Sequence, residues 1–276
     1  MPFVDTDGAS LHYRRAGSGP PLLLLAGMAS DNASWTPVLA PLAERHELIL
    51  PDNRTTGRTR DAGDPPTRTR MVADVLALLD ALALERVAIL GHSMGAMLGW
   101  AVAARAPERV SVLVPMAALP VASAARVELF GTLARLRSSA DEADWFRLLF
   151  QFLFRPDFFE DTAGVDAAVE AARLYPHKQS AAAFARQCAA LASFAEPLEL
   201  AAVRCPVHPL AGTEDMLSPP AAHLAFHAET RAVARHPPAA PVLVERAAHA
   251  LHWERPDAVV EHVLAALAPS PSPPRD

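Results

Sequence analysis

The sequence predicts an α/β protein built on a mostly parallel, eight-stranded sheet flanked by helices, and three observations carry this prediction. Continuous apolar runs of strand length alternate with helical patterns, as they do when a parallel sheet is buried on both faces. A long helix-rich stretch interrupts the alternation between the sixth and seventh strand patterns. The chain has 276 residues, 51% of them hydrophobic, which is enough for one large enzyme-sized core.

The first two strands are predicted to form a hairpin. The segment FVDTDGASLHYRRAG alternates around Asp7-Gly8, a dipeptide typical of a two-residue β-turn. A helix is indicated by TRMVADVLALLDALAL (69–84), in which apolar residues recur at spacings of three and four. Buried strands are indicated by four apolar runs, PLLLLAG (21–27), HELILPD (46–52), RVAIL (86–90) and RVSVLVPMA (109–117).

The second half of the chain changes character twice. Strand patterns give way to helices rich in Ala, Leu and Phe, and they return at CPVHPLAG (205–212) and APVLVERAA (240–248) before an amphipathic last helix. We therefore expect helices inserted into a sheet domain, and a Pro-rich end without fixed structure. The expected units are a core (residues 1–118 and 198–268), a helical cap (residues 119–197) and a disordered tail (residues 269–276).

Composition and charge exclude several functional classes. The net charge is −6 and the 25 basic residues are scattered, whereas a nucleic-acid binder concentrates them on one face. Cys188 and Cys205 are too few for a disulfide framework or a metal site, so we expect two buried thiols. The N-terminal residues lack the basic-then-apolar order of a signal peptide. We expect a cytoplasmic protein without a cofactor and without a nucleic-acid or membrane partner; its oligomeric state stays open.

The segment ILGHSMGAMLGW (89–100) carries the motif most informative about chemistry. Ser93 stands between Gly91 and Gly95, where an apolar strand pattern ends and a small-residue helical pattern begins. This is the G-x-S-x-G arrangement of a nucleophile elbow, in the strand–turn–helix context that the motif requires. A membrane span is a poor alternative, because three glycines, a histidine and a serine interrupt the uncharged stretch. A serine that only caps a helix is the other alternative.

A nucleophilic serine needs a base and an acid that orients the base, and after such an elbow they follow in the order Ser, Asp, His. Asp215 follows a strand pattern in LAGTEDMLSPP, and His249 lies between the last strand and the last helix in ERAAHALHWERPDAV. We expect Asp215 to be the acid, with the adjacent Glu214 as the alternative, and His249 to be the base. His252 is expected to start a helix or to lie on the surface.

Three other polar residues near these motifs are expected to support the site without reacting. His92, inside the elbow, is expected to pack against its neighbours. Asp52 and Arg54, in the segment PDNRTTGRT, are expected to form a structural ion pair with each other.

Taken together, the motifs resemble the α/β-hydrolase family with a cap domain, which includes small carboxylesterases, enol-lactone hydrolases, C–C bond hydrolases and cofactor-free haloperoxidases. The resemblance covers residues 3–268 and rests on LAGMASDNASW, PDNRTTGRT, GHSMGAM, GTEDMLSPP and AHALHWERPDAV. It implies an α/β-hydrolase fold with the cap between strands six and seven. It also implies three catalytic side chains and two backbone N–H donors to an oxyanion: Ser93 as nucleophile, Asp215 as acid, His249 as base, and the amides of Met28 and Met94.

The sequence departs from the family pattern at two places. Many relatives have His-Gly after the third strand, whereas this chain has Ala26-Gly27, a change in the loop that carries the Met28 amide. Relatives also have Arg-Gly-x-Gly where this chain has RTTG (54–57), which we expect to reshape only a supporting turn.

Aromatic residues concentrate in the expected cap, which holds nine of the 11 phenylalanines. Most of them are expected to join the cap helices and some to face Ser93, because binding pockets are mainly apolar. This favours a small to medium, uncharged ester or lactone, and charged substrates are expected to be poor because the sequence marks no cap arginine as their partner. The side chains expected to contact substrate are Trp35, Trp145, Phe150, Phe154 and Trp253.

The activity that follows is hydrolysis of a carboxylic ester through an acyl-enzyme intermediate. The same three side chains also support lactone or enol-lactone hydrolysis and haloperoxidase-like perhydrolysis. C–C bond hydrolysis is disfavoured, because relatives with that activity usually have Trp after the catalytic His and this chain has Ala250. A ligand-binding receptor on a hydrolase scaffold is the alternative from another functional class.

Overall fold

A central sheet of nine strands runs through the part of the chain that the computed structural model describes, residues 2–63, 66–234 and 236–268. The strands are β1 (Phe3–Thr6), β2 (Ala9–Ala16), β3 (Pro21–Leu25), β4 (Glu47–Pro51), β5 (Arg60–Asp61), β6 (Val87–His92), β7 (Val110–Met116), β8 (Leu210–Gly212) and β9 (Val242–Val244). Their order is β1-β2-β4-β3-β6-β7-β8-β9, and β5 pairs with β2 beside this path. Pairing is antiparallel along β1-β2-β4 and parallel along the rest of the path.

The predicted fold class is confirmed. The path of eight strands corresponds to the eight predicted ones, and β5 is an addition because a strand of two residues leaves no readable pattern. The hairpin predicted at Asp7-Gly8 joins β1 to β2, and Gly8 has a φ of +70°, which glycine adopts without strain. The predicted disordered tail, residues 269–276, lies outside the described residues.

Ten α-helices flank or extend the sheet within the described ranges. They are α1 (Thr36–Ala43), α2 (Arg68–Ala81), α3 (Met94–Arg105), α4 (Ala124–Arg137), α5 (Glu142–Leu153), α6 (Thr162–Leu174), α7 (Ala181–Phe194), α8 (Pro220–Val233), α9 (Leu251–Glu254) and α10 (Pro256–Leu267). The side chains of Thr67, Ser123 and Ser180 each accept a hydrogen bond from a first-turn N–H of the helix that follows, which explains where α2, α4 and α7 begin. None of the helices in these ranges combines the length and apolar character needed to cross a bilayer.

The parallel strands are buried on both faces, as their continuous apolar runs predict. In β3, Leu23 and Leu25 pack in one apolar cluster with residues of α2 and α3. Leu22 and Leu24 point to the opposite face and pack in a second cluster with residues of α1 and α10. Successive side chains of a strand point to opposite faces, so a strand covered on both sides is apolar at every position. The sheet therefore holds the loops at its carboxyl edge on a rigid support.

Helices α4 to α7 and the segments between them, residues 124–194, lie between β7 and β8 in the chain; we call this segment the cap. Trp145 and Phe184 pack edge to face inside it, with ring centroids 5.1 Å apart. Both belong to the same apolar cluster as Leu23 of β3 and Met97 of α3, so the cap packs directly on the core. Its status as a separate domain with boundaries at residues 119 and 197 stays a prediction.

Candidate active site

Ser93 occupies a strained turn between β6 and α3. Its φ is +53° and its ψ is −118°, a conformation that a residue with a side chain adopts only when the surroundings enforce it. A Cβ at Gly91 would lie 2.5 Å from the carbonyl oxygen of Gly95, and a Cβ at Gly95 would lie 2.0 Å from that of Leu25. Both glycines are therefore required by close backbone packing, and the turn has the shape of a nucleophile elbow.

Ser93, His249 and Asp215 form a continuous hydrogen-bonded series. His249 Nε2 lies 2.8 Å from Ser93 Oγ, and His249 Nδ1 lies 2.9 Å from Asp215 Oδ2. The three residues are 8%, 2% and 2% exposed. In such a series the carboxylate orients the imidazole, and the imidazole can accept the serine proton.

The second carboxylate oxygen of Asp215 accepts hydrogen bonds from the backbone N–H groups of Leu217 (2.8 Å) and Ser218 (2.9 Å). Burial raises the pKa of Asp215, but its interactions with His249 and these two N–H groups outweigh burial, and the pKa is lowered. Asp215 is therefore held as an acceptor for the imidazole. The alternative acid, Glu214, lies apart, because its carboxylate accepts a 2.8 Å hydrogen bond from Arg155 at the surface.

The ends of two neighbouring strands bring Asp215 and His249 together. Asp215 follows β8 and His249 follows β9, and the two strands pair in parallel. The Glu214 N–H donates to the carbonyl of Ala247, and a Cβ at Gly212 would lie 2.4 Å from that same oxygen. Gly212, three residues before the predicted acid, thus allows the loop after β8 to contact the loop after β9.

A stack of buried rings supports the His249 loop from below. His92 Nε2 donates to the carbonyl of His249 at 2.9 Å, and the ring of His252 lies between His92 (4.6 Å) and Trp35 (5.2 Å). Burial, reinforced by His249, lowers the pKa of His92 from 6.5 to about 3 and lowers that of His252 as well. His252 lies in the first turn of α9, which is one of its two predicted places, and it is buried and not on the surface. One prediction is corrected: Trp35, fully buried in this stack, does not reach the cavity above Ser93.

The two predicted oxyanion donors lie on either side of Ser93. Met94 is the first residue of α3, where backbone N–H groups have no acceptor within the helix and the helix dipole favours negative charge. The loop after β3 passes close to the nucleophile, since a Cβ at Gly27 would lie 3.2 Å from Ser93 Cβ, and Met28 lines the cavity. The arrangement leaves both amides near the serine, and their role as oxyanion donors stays a prediction.

Two cap glutamines hold the loop of Met28, and sequence reasoning did not single them out. Gln187 Oε1 accepts hydrogen bonds from the backbone N–H of Ala29 and from Gln179 Nε2, both at 3.0 Å. Gln179 Nε2 also donates to Thr55 Oγ1 at 3.0 Å. Ala29 and Thr55 have φ values of +57° and +72°, unfavourable for residues with side chains. The only signal in the sequence is Thr55 itself, a β-branched residue where relatives have glycine.

The predicted ion pair between Arg54 and Asp52 is wrong. Arg54 makes a two-pronged contact with Asp74 of α2, with Nε 2.5 Å from Oδ2 and Nη2 2.7 Å from Oδ1. Asp52 is fully buried and accepts instead from His12 Nδ1 and from Asn32 Nδ2. The partners of each carboxylate are close to it in space but distant in the sequence, so spacing along the chain did not predict these pairings.

A cavity of about 760 Å³ opens above Ser93 and His249 and is roofed by the cap. Of the predicted substrate contacts, Phe150 and Phe154 line it, and Trp253 lines it with 48% of its surface exposed. Trp145 does not line it, which corrects that prediction: the side chain is 1% exposed, and its Nε1 donates to the carbonyl of Leu133 inside the cap. Polar groups also line the cavity, among them Arg137, a cap arginine that the sequence did not mark as a partner for charged substrates.

The two cysteines are buried and not joined by a disulfide. Burial raises the pKa of Cys188 to about 12 and that of Cys205 to about 11, so both remain thiols at neutral pH. Among the residues that the structure describes, no group of three or more His, Cys, Asp or Glu side chains is arranged to hold a metal ion.

Comparison with known proteins places this geometry in a family. Residues 20–256 match the model of the alpha/beta hydrolase fold. The putative carbamate hydrolase RutD of Azorhizobium caulinodans is 30% identical over 220 residues, which cover 79% of this chain and 82% of that protein.

Two solved structures show the same fold over almost the whole chain. The enol-lactonase from Burkholderia xenovorans LB400 superposes with a TM-score of 0.79 at 24% identity, covering 96% of this chain and 99% of that one. A hydrolase from Pseudomonas aeruginosa PA01 superposes with a TM-score of 0.79 at 26% identity, covering 97% and 98%. The protein is therefore a hydrolase that belongs to the α/β-hydrolase fold family.

Proposed function

We propose that the protein hydrolyses a small to medium carboxylic ester through an acyl-enzyme intermediate on Ser93. One observation carries the proposal: the hydrogen-bonded series from Ser93 through His249 to Asp215 opens into a cavity lined by aromatic side chains. Serine is a weak nucleophile at neutral pH and needs a base within hydrogen-bond reach, which His249 supplies at 2.8 Å.

In the proposed reaction, Ser93 Oγ attacks the ester carbonyl while its proton moves to His249 Nε2. The carbonyl π electrons move to the oxygen, where the N–H groups of Met28 and Met94 would stabilise the oxyanion. When the tetrahedral species collapses, the C–O bond breaks and His249 gives its proton to the leaving alkoxide. Water then repeats the sequence on the acyl-enzyme, which releases the acid and restores the serine.

The cavity favours an acyl or ring portion with apolar surface. Phe150, Phe154 and Leu149 line it from the cap, and each methylene that gains such contact contributes about 0.8 kcal/mol of transfer free energy. A lactone is an ester closed into a ring, so the same attack opens it. Lactone or enol-lactone hydrolysis is therefore an alternative within the same chemistry, and perhydrolysis differs only in the acyl acceptor.

The similarity to relatives named as putative carbamate hydrolases favours a second candidate, hydrolysis of a carbamate. Ser93 would attack a carbonyl that carries nitrogen on one side and oxygen on the other, and His249 would protonate whichever group leaves. The same residues serve both reactions, so the substrate has to be found by comparing acyl classes directly.

The experiment is a hydrolysis screen over aryl esters of graded chain length, lactones of graded ring size and aryl carbamates, together with labelling by a fluorophosphonate probe. We expect labelling at Ser93 and turnover of at least one acyl class. Ser93→Ala should lower turnover by about a thousandfold or more. Ser34→Ala, at a second serine that lines the cavity, should not lower it comparably. A folded protein that hydrolyses none of these classes and is not labelled would favour the receptor alternative, and full activity in Ser93→Ala would exclude the mechanism.

A further inference from the structure

The cavity above Ser93 contains a cation that the proposed chemistry does not use. Arg137, the last residue of α4, lines the cavity, and its guanidinium lies against aromatic rings of the cap. Its Cζ is 4.2 Å from the ring centroid of Trp145 and 5.0 Å from that of Phe184. Such stacking holds the guanidinium in place. Glu142 stabilises its positive charge from a distance, but no carboxylate of the described residues is in direct contact with it.

Other cations along the cavity have carboxylate partners. Lys178 Nζ lies 2.7 Å from Glu142 Oε2. Arg155 Nη1 and Arg246 Nη2 lie 2.8 Å and 3.5 Å from Asp157 Oδ2. Arg255 has no such partner among the residues that the structure describes, but it is exposed to solvent.

Arg137 differs from all of these, because it is half-buried and no carboxylate of the described residues lies within 4.0 Å of its guanidinium. Its Nη2 donates to the backbone carbonyl of Gln179, and its Nη1 is buried without an acceptor. Burial lowers the pKa of Arg137 to about 10, so the side chain remains charged at neutral pH.

Two cap amides near Arg137 also have polar atoms without partners among the described residues; Gln179 lines the cavity, whereas Gln187 lies behind its wall. Gln179 and Gln187 are 6% and 0% exposed, yet Gln179 Oε1 has no donor and Gln187 Nε2 has no acceptor. A buried polar atom without a partner costs free energy, and a buried charge without a partner costs more. Asp31, an acid of the cavity wall, is occupied, since its Oδ2 accepts from the hydroxyl of Tyr175 and its Oδ1 from the N–H of Ala33.

We propose that Arg137 binds a carboxylate of the substrate, so that the acyl portion held at Ser93 ends in an anionic group. The apolar cavity wall between Ser93 and Arg137 would contact the hydrocarbon part of the substrate, which separates its ester from its carboxylate. The proposal rests on the proposed function for the identity of the reacting end, and it replaces the expectation that charged substrates are poor. A guanidinium suits this role because it donates two parallel hydrogen bonds to a carboxylate.

The test compares three 4-nitrophenyl esters with the same six-carbon acyl chain: hexanoate, adipate with its second carboxyl free, and adipate with that carboxyl methylated. We expect kcat/KM for the free carboxylate to exceed both neutral esters by about tenfold to a hundredfold, as for a hydrogen bond to a charged group. Arg137→Met should reduce this ratio to near one, and Arg137→Lys should keep part of it. Arg246→Met is the matched control, because this cavity arginine already has a carboxylate partner in Asp157, and the ratio should persist.

The inference fails if the unmodified enzyme hydrolyses all three esters without favouring the carboxylate, or if a folded Arg137→Met variant keeps the ratio. A second measurement tests the same site without turnover. Calorimetry compares binding of the free-carboxylate ester to Ser93→Ala and to the double variant Ser93→Ala, Arg137→Met. If the unmodified enzyme hydrolyses none of the three esters but Ser93→Ala binds the free-carboxylate ester through Arg137, the proposed function alone is overturned. Hydrolysis without any preference would overturn this inference alone.

Discussion

The loops of Ser93, Asp215 and His249 form the floor of the cavity and the cap forms its roof. The side chains of His249 and Asp215 are more completely hydrogen-bonded than several polar side chains of the roof. On the floor, both ring nitrogens of His249 and both carboxylate oxygens of Asp215 have partners within 3.0 Å. In the roof, side-chain atoms of Arg137, Gln179 and Gln187 lack one. Under the proposed function the difference separates two tasks: the floor would be organised for bond breaking before substrate arrives, whereas Arg137 and Gln179 of the roof would gain partners from what binds.

The roof nevertheless holds the floor in place, through at least one hydrogen bond to each of the three loops. Gln187 accepts from Ala29 in the loop of Met28, Arg126 donates to the carbonyl of Leu217 beside Asp215, and Leu153 accepts from the N–H of Ala250 beside His249. Substitutions should therefore have different effects at side chains that react, at side chains that hold a loop in place and at side chains that select the substrate.

The largest effect is expected on the floor. Asp215→Asn should lower turnover by about a thousandfold or more, because the neutral amide no longer orients and stabilises the imidazolium. Glu214→Gln is the matched control: it removes the neighbouring carboxylate, which pairs with Arg155 at the surface, and should retain most activity. Steady-state kinetics on folded variants measures both. If Glu214→Gln were the inactive variant, the assignment of the acid would be reversed.

A second effect on the floor is acid sensitivity of the fold. His92 has a folded pKa of about 3 against an ordinary 6.5, so below pH 6.5 the unfolded chain binds a proton that the folded protein excludes. Stability is therefore complete above pH 6.5 and falls as the pH drops toward 3, by about 1.4 kcal/mol per unit and about 3 kcal/mol by pH 4 for this group alone.

Denaturant unfolding at a series of pH values tests this expectation. His92→Asn should flatten the dependence of the free energy of unfolding on pH, even though it lowers that energy at pH 8. His236→Asn, at an exposed histidine, should leave the slope unchanged. An unchanged slope in His92→Asn would place the acid sensitivity elsewhere, for example at His223, whose pKa burial lowers to about 4.

The floor could be predicted from sequence because local constraints fix it. A strained turn needs glycine at Gly91 and Gly95, and the order Ser, Asp, His follows from the strand order of the sheet, so short motifs located Ser93, Asp215 and His249. The buried strands were equally readable, since a parallel sheet covered on both faces leaves continuous apolar runs.

The roof could not be predicted in the same detail because helix packing decides it. Several aromatic residues of the cap look alike in sequence, yet Trp145 packs inside the cap while Phe154 lines the cavity. Partners far apart in the chain were also missed: Arg54 pairs with Asp74 and not with Asp52, and Gln187 reaches Ala29 across 158 positions. No local pattern records such contacts.

A smaller effect is expected where the roof holds the floor. Gln187→Met keeps the side-chain length but removes the acceptor for the Ala29 N–H, so the strained loop of Met28 should lose its fixed position. Loss of an oxyanion donor costs about a hundredfold or more, and loosening one should cost less, about tenfold in kcat with little change in KM. Gln151→Met, at an exposed glutamine of α5, is the control. A rise in KM at constant kcat would instead show that the loop of Met28 serves substrate binding more than oxyanion stabilisation.

The smallest effect is expected where the roof only selects. Phe154 lines the cavity and stacks on Phe158, with ring centroids 4.5 Å apart, so it presents an apolar face to the acyl chain. Phe154→Ala should reduce the preference for hexanoyl over acetyl esters by about fivefold, which corresponds to lost contact with one or two methylenes. Phe159→Ala, next to the same ring cluster but not at the cavity, should preserve the preference. Because the cavity is finite, kcat/KM of the unmodified enzyme should rise from acetyl to about hexanoyl and then fall. A rise that continues to palmitoyl esters would mean that the roof opens, and that the cap does not limit the acyl chain.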